Sequence, residues 1–362
     1  MADDADPGAN ARLRDAAIRR RIRLERYSNN EARRILALLK RVEDDLLRKM
    51  AELEPGSAGL ARADAIMDSV RDQARQAFAQ VQGVLSGDLL DLTEDEIESA
   101  LASFRSAVPI DVLFAAPPAA TVHAAALSRP FQGRLLREWM ASLEESQGRR
   151  VRDAVRIGLV EGESIPAIMR RLRGTRANRF KDGVLEINRR SAEAVVRTAV
   201  THTSNFARQR TFERNANIVK SVQWVATLDG RTTPICRSRD GRVYPVDSGP
   251  RPPAHVGCRS VMAPVTKSFR ELGLDIDEIP PGARASMNGQ VPATTTYNEW
   301  LATQSVEFQN EVLGPTRGRL FREGGITMDR FVNNRGRLYT LEELRRREGR
   351  AFDAAGVAGA GA

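Results

Sequence analysis

Residues 228–264 read LDGRTTPICRSRDGRVYPVDSGPRPPAHVGCRSVMAP and hold Cys236 and Cys258, the two cysteines of the chain, together with His255, one of its three histidines. The spacing is C-x18-H-x2-C, and the short H-x2-C limb turns two ligands toward one point, as structural zinc sites require. Two thiols and an imidazole leave a fourth position open, for which Asp229 and Asp240 are the carboxylate candidates. The competing reading makes both cysteines small buried hydrophobes and His255 a loop hydrogen-bonding residue. Asp229-Gly230 and Asp240-Gly241 are turn signals, and the second reads as a hairpin between Cys236 and the run Val243–Val246. Upstream, Val219, Val222, Trp224 and Thr227 alternate as a strand, and Val261-Met262 return as a third. The segment is therefore expected to sit on a small twisted sheet, with its ligands in loops.

Outward from the sheet the pattern is helical. A long helix is expected from about Arg189 to Asn215, with Ala192, Val195, Val196, Ala199, Thr203 and Phe206 on one face. Its other face carries Arg189, Arg190, Arg197, Arg208, Arg210 and Arg214, either as phosphate contacts or as a solvated basic face. Before it, a helix through Leu135, Trp139, Leu143, Val151, Val155 and Leu159 breaks at Gly162. Ser164 with Pro166 then starts a short helix that ends at Gly174. Nearer the N-terminus, Ser28 to Glu31 and Thr93 to Glu96 each match a capping box. They predict separate helices behind them, through Ile35–Leu53 and through Ile97–Phe104, with another through Ile66–Val81 after the Pro55-Gly56-Ser57 break. The fold class is thus α+β and predominantly helical. The expected organisation is a disordered tail over 1–10, a helical arm or bundle over 11–108, a linker over 109–127 and a core over 128–266. Short helices and turns follow over 267–350, with Leu341 to Arg350 as a surface helix, and a flexible tail over 351–362.

Composition narrows the function classes. Lys plus Arg (56) exceeds Asp plus Glu (47) by nine, which favours a polyanionic neighbour, nucleic acid or an acidic protein face. The arginine bias suits bidentate phosphate contacts, and a GC-rich genome produces the same bias. No apolar stretch approaches the 18 residues of a membrane span, and no signal-sequence core is evident. Two cysteines exclude a disulfide scaffold and are compatible with a reducing cytoplasm. No nucleophile elbow, phosphate-cradling Gly loop or H-E-x-x-H pattern occurs, so a catalytic role is not expected. The enzymatic alternative is a metal-dependent nucleic-acid-processing or toxin-like enzyme built on the Cys/His segment. His202 reads as a packing or capping residue of the long helix, and His123 has no evident chemistry.

The ordered set Arg197-Thr198, Trp224, Asp229, Arg231-Thr232-Thr233, Cys236, Asp240-Gly241, Pro252-Pro253, His255, Cys258-Arg259-Ser260 and Pro264 resembles the Mu-type minor head protein family of tailed bacteriophages, the head-morphogenesis proteins. The likeness is closest from Arg189 to Pro264 and touches Tyr297 to Glu343; the first 120 residues share only helical character. It implies a virion protein of the capsid interior or portal vertex, present in host cytoplasm during assembly. The implied partners are portal, capsid or scaffold proteins and packaged DNA, and the implied role is in head assembly and DNA packaging or delivery. Some relatives have cysteines where this chain has Thr233 and Ser260. That departure leaves Cys236, His255 and Cys258 as the ligand set for zinc.

Overall fold

The computed structural model describes residues 7–52, 57–108, 112–268, 271, 283–333 and 336–357. The expected α+β, predominantly helical class is observed. In chain order the elements are α1 (Pro7–Ala51), α2 (Ser57–Ala107), α3 (Ala119–Leu127), α4 (Leu136–Val160), α5 (Ile165–Arg173), α6 (Val184–Arg214), β1 (Val219–Val225), α7 (Pro234–Arg239), β2 (Val243–Pro245) and β3 (Val261–Thr266). The hairpin β4 (Ala283–Ser286) and β5 (Gly289–Pro292) follows, then α8 (Tyr297–Ala302), α9 (Val306–Leu313), α10 (Pro315–Arg322), a 3-10 turn (Met328–Phe331) and α11 (Leu341–Ala354). Chain contacts divide the protein into two compact units. The first comprises Met1–Arg23, Glu96–Pro117 and Asn205–Ala362; the second comprises Leu24–Asp95 and Pro118–Ser204.

The second unit is a helical bundle rather than a free arm. Leu24, Ile35 and Leu39 of α1, Phe78, Val81, Leu85, Leu89 and Leu92 of α2, Leu136, Met140 and Leu143 of α4, and Ala192, Val195, Val196 and Val200 of α6 share one core. Their three- and four-residue steps put each set on one helix face, so that burial of apolar area drives the association. A second cluster joins Leu46 and Met50 to Val151, Val155, Ile168, Leu172 and Leu185.

Both predicted N-terminal capping boxes lie inside continuous helices. Between Gly8 and Ala51 there is no Gly or Pro to stop α1, so good helix formers carry it through Ser28 and Glu31. In α2, Thr93 bonds the carbonyl four residues back, with Oγ1 to Leu89 O at 2.7 Å, and Glu96 turns to arginines instead of to the backbone. The predicted tail over 1–10 is helical from Pro7; Asn10 accepts a bond from Thr266 N at 2.8 Å, and residues 1–6 lie outside those described. The predicted linker over 109–127 contains α3, with Val122 and Ala126 buried. The predicted C-terminal tail is also partly structured, since Phe352 and Ala355 are in the core with Leu344. The latter part, 358–362, lies outside the described residues. The expected starts and stops at Gly162, Ser164, Pro166 and Gly174 are observed.

In the first unit the three strands form an antiparallel sheet in the order β2-β1-β3. Val222 pairs with Tyr244 on one side and Pro264 on the other. Trp224 is fully buried, and Ala17 of α1 packs on Val225, Val261 and Ala263. The turn expected between two strands at Asp240-Gly241 instead joins the short helix α7 to β2: Gly241 adopts φ +80° and donates its N–H to Trp224 O. Beyond the sheet, Leu228, Tyr297, Trp300, Leu301, Leu320, Phe331, Leu344 and Phe352 make the C-terminal core.

Candidate metal centre

The site is assembled by a helix end and a tight turn. Thr233, extended at φ −74° and ψ 157°, precedes Pro234 at the first turn of α7, where the missing proline N–H costs no helical bond. This places Cys236 one turn in, pointing into the protein at 1% exposure. On the facing loop Cys258 N bonds His255 O at 3.1 Å, and Gly257 at φ +70° closes that turn. The ligand atoms of Cys236, His255 and Cys258 lie within 4.8 Å of one another. Cys236 Sγ stands 3.7 Å from Cys258 Sγ and 3.3 Å from His255 Nε2.

These separations fit a tetrahedral ion. Two sulfurs bound at about 2.3 Å to one zinc stand about 3.8 Å apart, and a sulfur and an imidazole nitrogen about 3.5 Å apart. The imidazole is also oriented for ligation. His255 Nδ1 lies 2.8 Å from Val256 O; it donates there and leaves the Nε2 lone pair facing the thiols. The two thiols ionise in sequence. Hydrogen bonding from Cys236, then the hydrogen bond and charge of His255, pull the Cys258 thiol down, while the bond to Cys258 and burial push Cys236 up. Burial opposes charge on His255, but the bond to Cys258 outweighs it and raises its pKa. One thiolate is thus readily available in a buried pocket.

The cluster does not include Asp229 or Asp240, the two carboxylates expected as a fourth ligand. Asp229 is held by Arg259 through two bonds of 2.5 and 2.7 Å and accepts from Arg231 N and Thr232 N. Asp240 is buried against Arg284 and accepts from Ala226 N and Tyr297 N. Both carboxylates are consumed by bonds that fasten loops. The polar groups that do flank the ligands are hydroxyls: Thr233 Oγ1 is 2.8 Å from His255 Nε2, and the Ser260 side chain bonds Cys236.

Most other motif residues surround this centre. Arg259 O accepts from Arg21 Nε at 3.0 Å, Pro252-Pro253 is a cis peptide, and Arg239 stacks over Trp224 at 5.1 Å. Arg231 has an exposed side chain and contributes its backbone N–H. Arg197 belongs to the other unit, where it pairs with Glu25 and Glu193. Sequence reasoning missed Arg21, Arg237, Arg284 and Tyr297. Arg237 donates to Val312 O and Gly230 O beneath the Tyr297 ring, and Tyr297 donates its hydroxyl to Asp229 O at 2.8 Å.

The arginines of α6, read as candidate phosphate contacts, are largely committed within the protein. Arg189 pairs with Glu43, Arg190 with Glu186, and Arg210 with Glu213. Arg208 is 3% exposed and faces Glu96, which also takes a bond from Arg20. Arg214 alone of that set is exposed without a carboxylate beside it among the described residues. His202 packs on Phe131 at 5.2 Å, with Nε2 3.1 Å from Ala126 O, a packing residue as expected.

Comparison with known families reaches this same part of the chain: residues 149–263 match the family model described as Phage Mu protein F like protein. Over that segment the chain is similar to this family. The match runs from α4 through β3, takes in all three Cys/His ligands and both members of the Asp229–Arg259 pair, and is consistent with the Mu-type head-morphogenesis resemblance. No curated protein and no solved structure matches the chain. Among the described residues, no helix is long and apolar enough to cross a membrane.

Proposed function

We propose that this chain is a minor head protein of a tailed phage, a non-catalytic component of the capsid interior or portal vertex that aids head assembly and DNA packaging or delivery. The observation that carries the reading is the Mu F-like segment 149–263, which contains the Cys/His cluster and the Asp229–Arg259 pair beside it. Its partners are the portal protein and other capsid or scaffold proteins, with packaged DNA met through sequence-independent phosphate contacts. In this reading Cys236, His255 and Cys258 hold zinc, which supplies a cross-link between α7 and the 252–260 loop and so contributes to folding. The non-catalytic reading is supported by the state of the candidate bases: Asp229 and Asp240 are paired with arginines, and His255, the imidazole beside the thiols, is taken up as a metal ligand.

The test is assembly itself. Full-length protein is mixed with portal and with proheads of the same phage, and particles are made with and without it. Co-sedimentation with portal or proheads, and loss of packaging or infectivity without the chain, is expected. A chain that neither co-sediments nor enters particles overturns the reading. Metal-dependent turnover of DNA that disappears in His255→Ala would replace it with the enzymatic alternative.

A further inference from the structure

The last turn of α5 and the segment joining it to α6 carry a concentration of charge that the assembly reading does not use. Residues 170–181 read RRLRGTRANRFK, six cations in twelve residues with no carboxylate. Arg171 pairs with Glu161 and Glu163. Arg170, Arg173, Arg176, Arg179 and Lys181 are exposed and have no ion-pair partner among the described residues. The four arginines recur at every third position, and beside the last of them Phe180 is 50% exposed.

The loop that displays Arg176, Arg179, Phe180 and Lys181 beyond the end of α5 is built rather than slack. Asp182 accepts from Thr175 N at 2.8 Å, from Thr175 Oγ1 at 2.8 Å and from Asn178 Nδ2 at 3.0 Å, and closes the loop on itself. Those bonds, from Asn178 first and then Thr175, hold its carboxyl down at about 2. Phe180 N bonds Thr175 O at 2.8 Å, and Arg190 of α6 grips Lys181 O at 2.8 Å. At the base, Gly174 takes φ +91°, where a Cβ would lie 2.7 Å from Asp182 Oδ1. Arg179 and Phe180 adopt φ +51° and +61°, a left-handed conformation that non-glycine residues rarely take. Here the strain holds a guanidinium and an aromatic ring at the surface, the kind of outlier that accompanies a binding function.

We propose that the Arg170–Lys181 segment is a contact surface for the sugar–phosphate backbone of nucleic acid, with Phe180 placed to stack on an unpaired base. Guanidinium forks match phosphate oxygens, and an exposed ring among cations is the combination that binds strands without sequence preference. An acidic protein face would use the charges but gives no role to the ring. The inference deepens the DNA contact of the function proposed above and moves it from α6, whose arginines are mostly paired, to this loop.

The test is fluorescence anisotropy with a labelled duplex and a labelled single strand, across a salt series, using full-length protein. The loop variant carries Arg170→Gln, Arg173→Gln, Arg176→Gln and Arg179→Gln; the control carries Arg346→Gln and Arg350→Gln on α11. The loop variant should bind at least tenfold more weakly, with a salt slope shallower by about 0.9 for each duplex phosphate contact removed. The control should stay within twofold, and both variants should melt like wild type. Phe180→Ala should lose affinity for the single strand and not for the duplex. Wild type that binds DNA while the loop variant binds equally well overturns this proposal and leaves the assembly role standing. Wild type that ignores DNA at low salt overturns the proposal too, and portal co-sedimentation then reports separately on the assembly role. Loss of portal or capsid binding in the loop variant, with no effect on DNA, would assign the loop to an acidic protein instead.

Discussion

Arg259 clasps the Asp229 carboxylate with both terminal nitrogens, at 2.5 and 2.7 Å, and the same carboxylate accepts the N–H groups of Arg231 and Thr232. One side chain thus fixes the turn after β1 and ties it to the strand entry that follows Cys258. Burial disfavours the charge on Asp229, but the bonds from Arg259 outweigh burial and lower its pKa. A carboxylate depressed in this way adds stability above its unfolded pKa of about 3.9 and loses it as pH falls through the folded value. Asp229→Asn keeps an oxygen for the turn and removes the charge. It should cost about 1–3 kcal/mol at neutral pH, and the gap to wild type should narrow as pH falls below the unfolded value of about 3.9. Chemical denaturation at pH 7 and pH 3 measures both; an equal gap at the two values refutes the charge argument.

The sulfurs of Cys236 and Cys258 stand 3.7 Å apart, outside the roughly 2.05 Å of a disulfide but in direct contact. Metal-free protein treated with diamide should lose both free thiols within one chain. Two thiols then give up two electrons and two protons to the azo bond, which becomes a hydrazine. Protein holding about one equivalent of zinc should keep its thiols masked against the same reagent, and chelation should lower its melting temperature. Thiol titration and metal analysis decide it. Equal oxidation with and without zinc would mean that the metal does not sit on these sulfurs.

How far this architecture was legible depends on how far apart the partners lie. Cys236, His255 and Cys258 are close in sequence and converge as their spacing implies. So do the start of α5 at Ser164-Pro166 and its stop at Gly174, because caps are local signals. Asp240 looked like a ligand because its partner, Arg284, lies 44 residues away and carries no mark of the pairing. Arg21, 238 residues from Arg259, was equally invisible. The boxes at Ser28 and Thr93 misled for the opposite reason: a capping pattern states what a helix end would use, and nothing beside it broke the helix. The β4–β5 hairpin carried a readable Asn288-Gly289 turn that the helical reading of 267–350 passed over.

Glu96 sits between Arg20 at 3.1 Å and Arg208 at 3.7 Å, itself fully buried. Burial lowers the pKa of Arg208, with the charge of Glu96 opposing. Glu96→Ala would leave two cations facing each other without their anion, and should destabilise the protein by about 3–5 kcal/mol. Arg214→Ala, on the exposed end of the same helix, should stay within about 0.5 kcal/mol. Thermal unfolding of the two variants compares them directly. If Arg208→Ala instead leaves stability intact and weakens DNA binding, Arg208 belongs with the phosphate contacts after all.

The loop after α5 offers a substitution that keeps every charge and changes only shape. A Cβ on Gly183 would fall 2.4 Å from the carbonyl carbon and oxygen of Arg173 and 2.5 Å from Gly174 N, all backbone atoms that cannot swing aside. Gly183→Ala must therefore pry open the base that Asp182 closes, at a cost of about 1–3 kcal/mol. If pre-organisation of the cations matters, DNA affinity should fall severalfold although all six remain. Gly148→Ala is the matched control: it lies inside α4 with nothing within 4 Å of its Cβ, and should stabilise the helix by about 0.5–1 kcal/mol without touching affinity. Anisotropy titrations on the pair separate the two contributions. Undiminished affinity in Gly183→Ala would mean that the charges act as a diffuse cloud and that the strained loop geometry is incidental to binding.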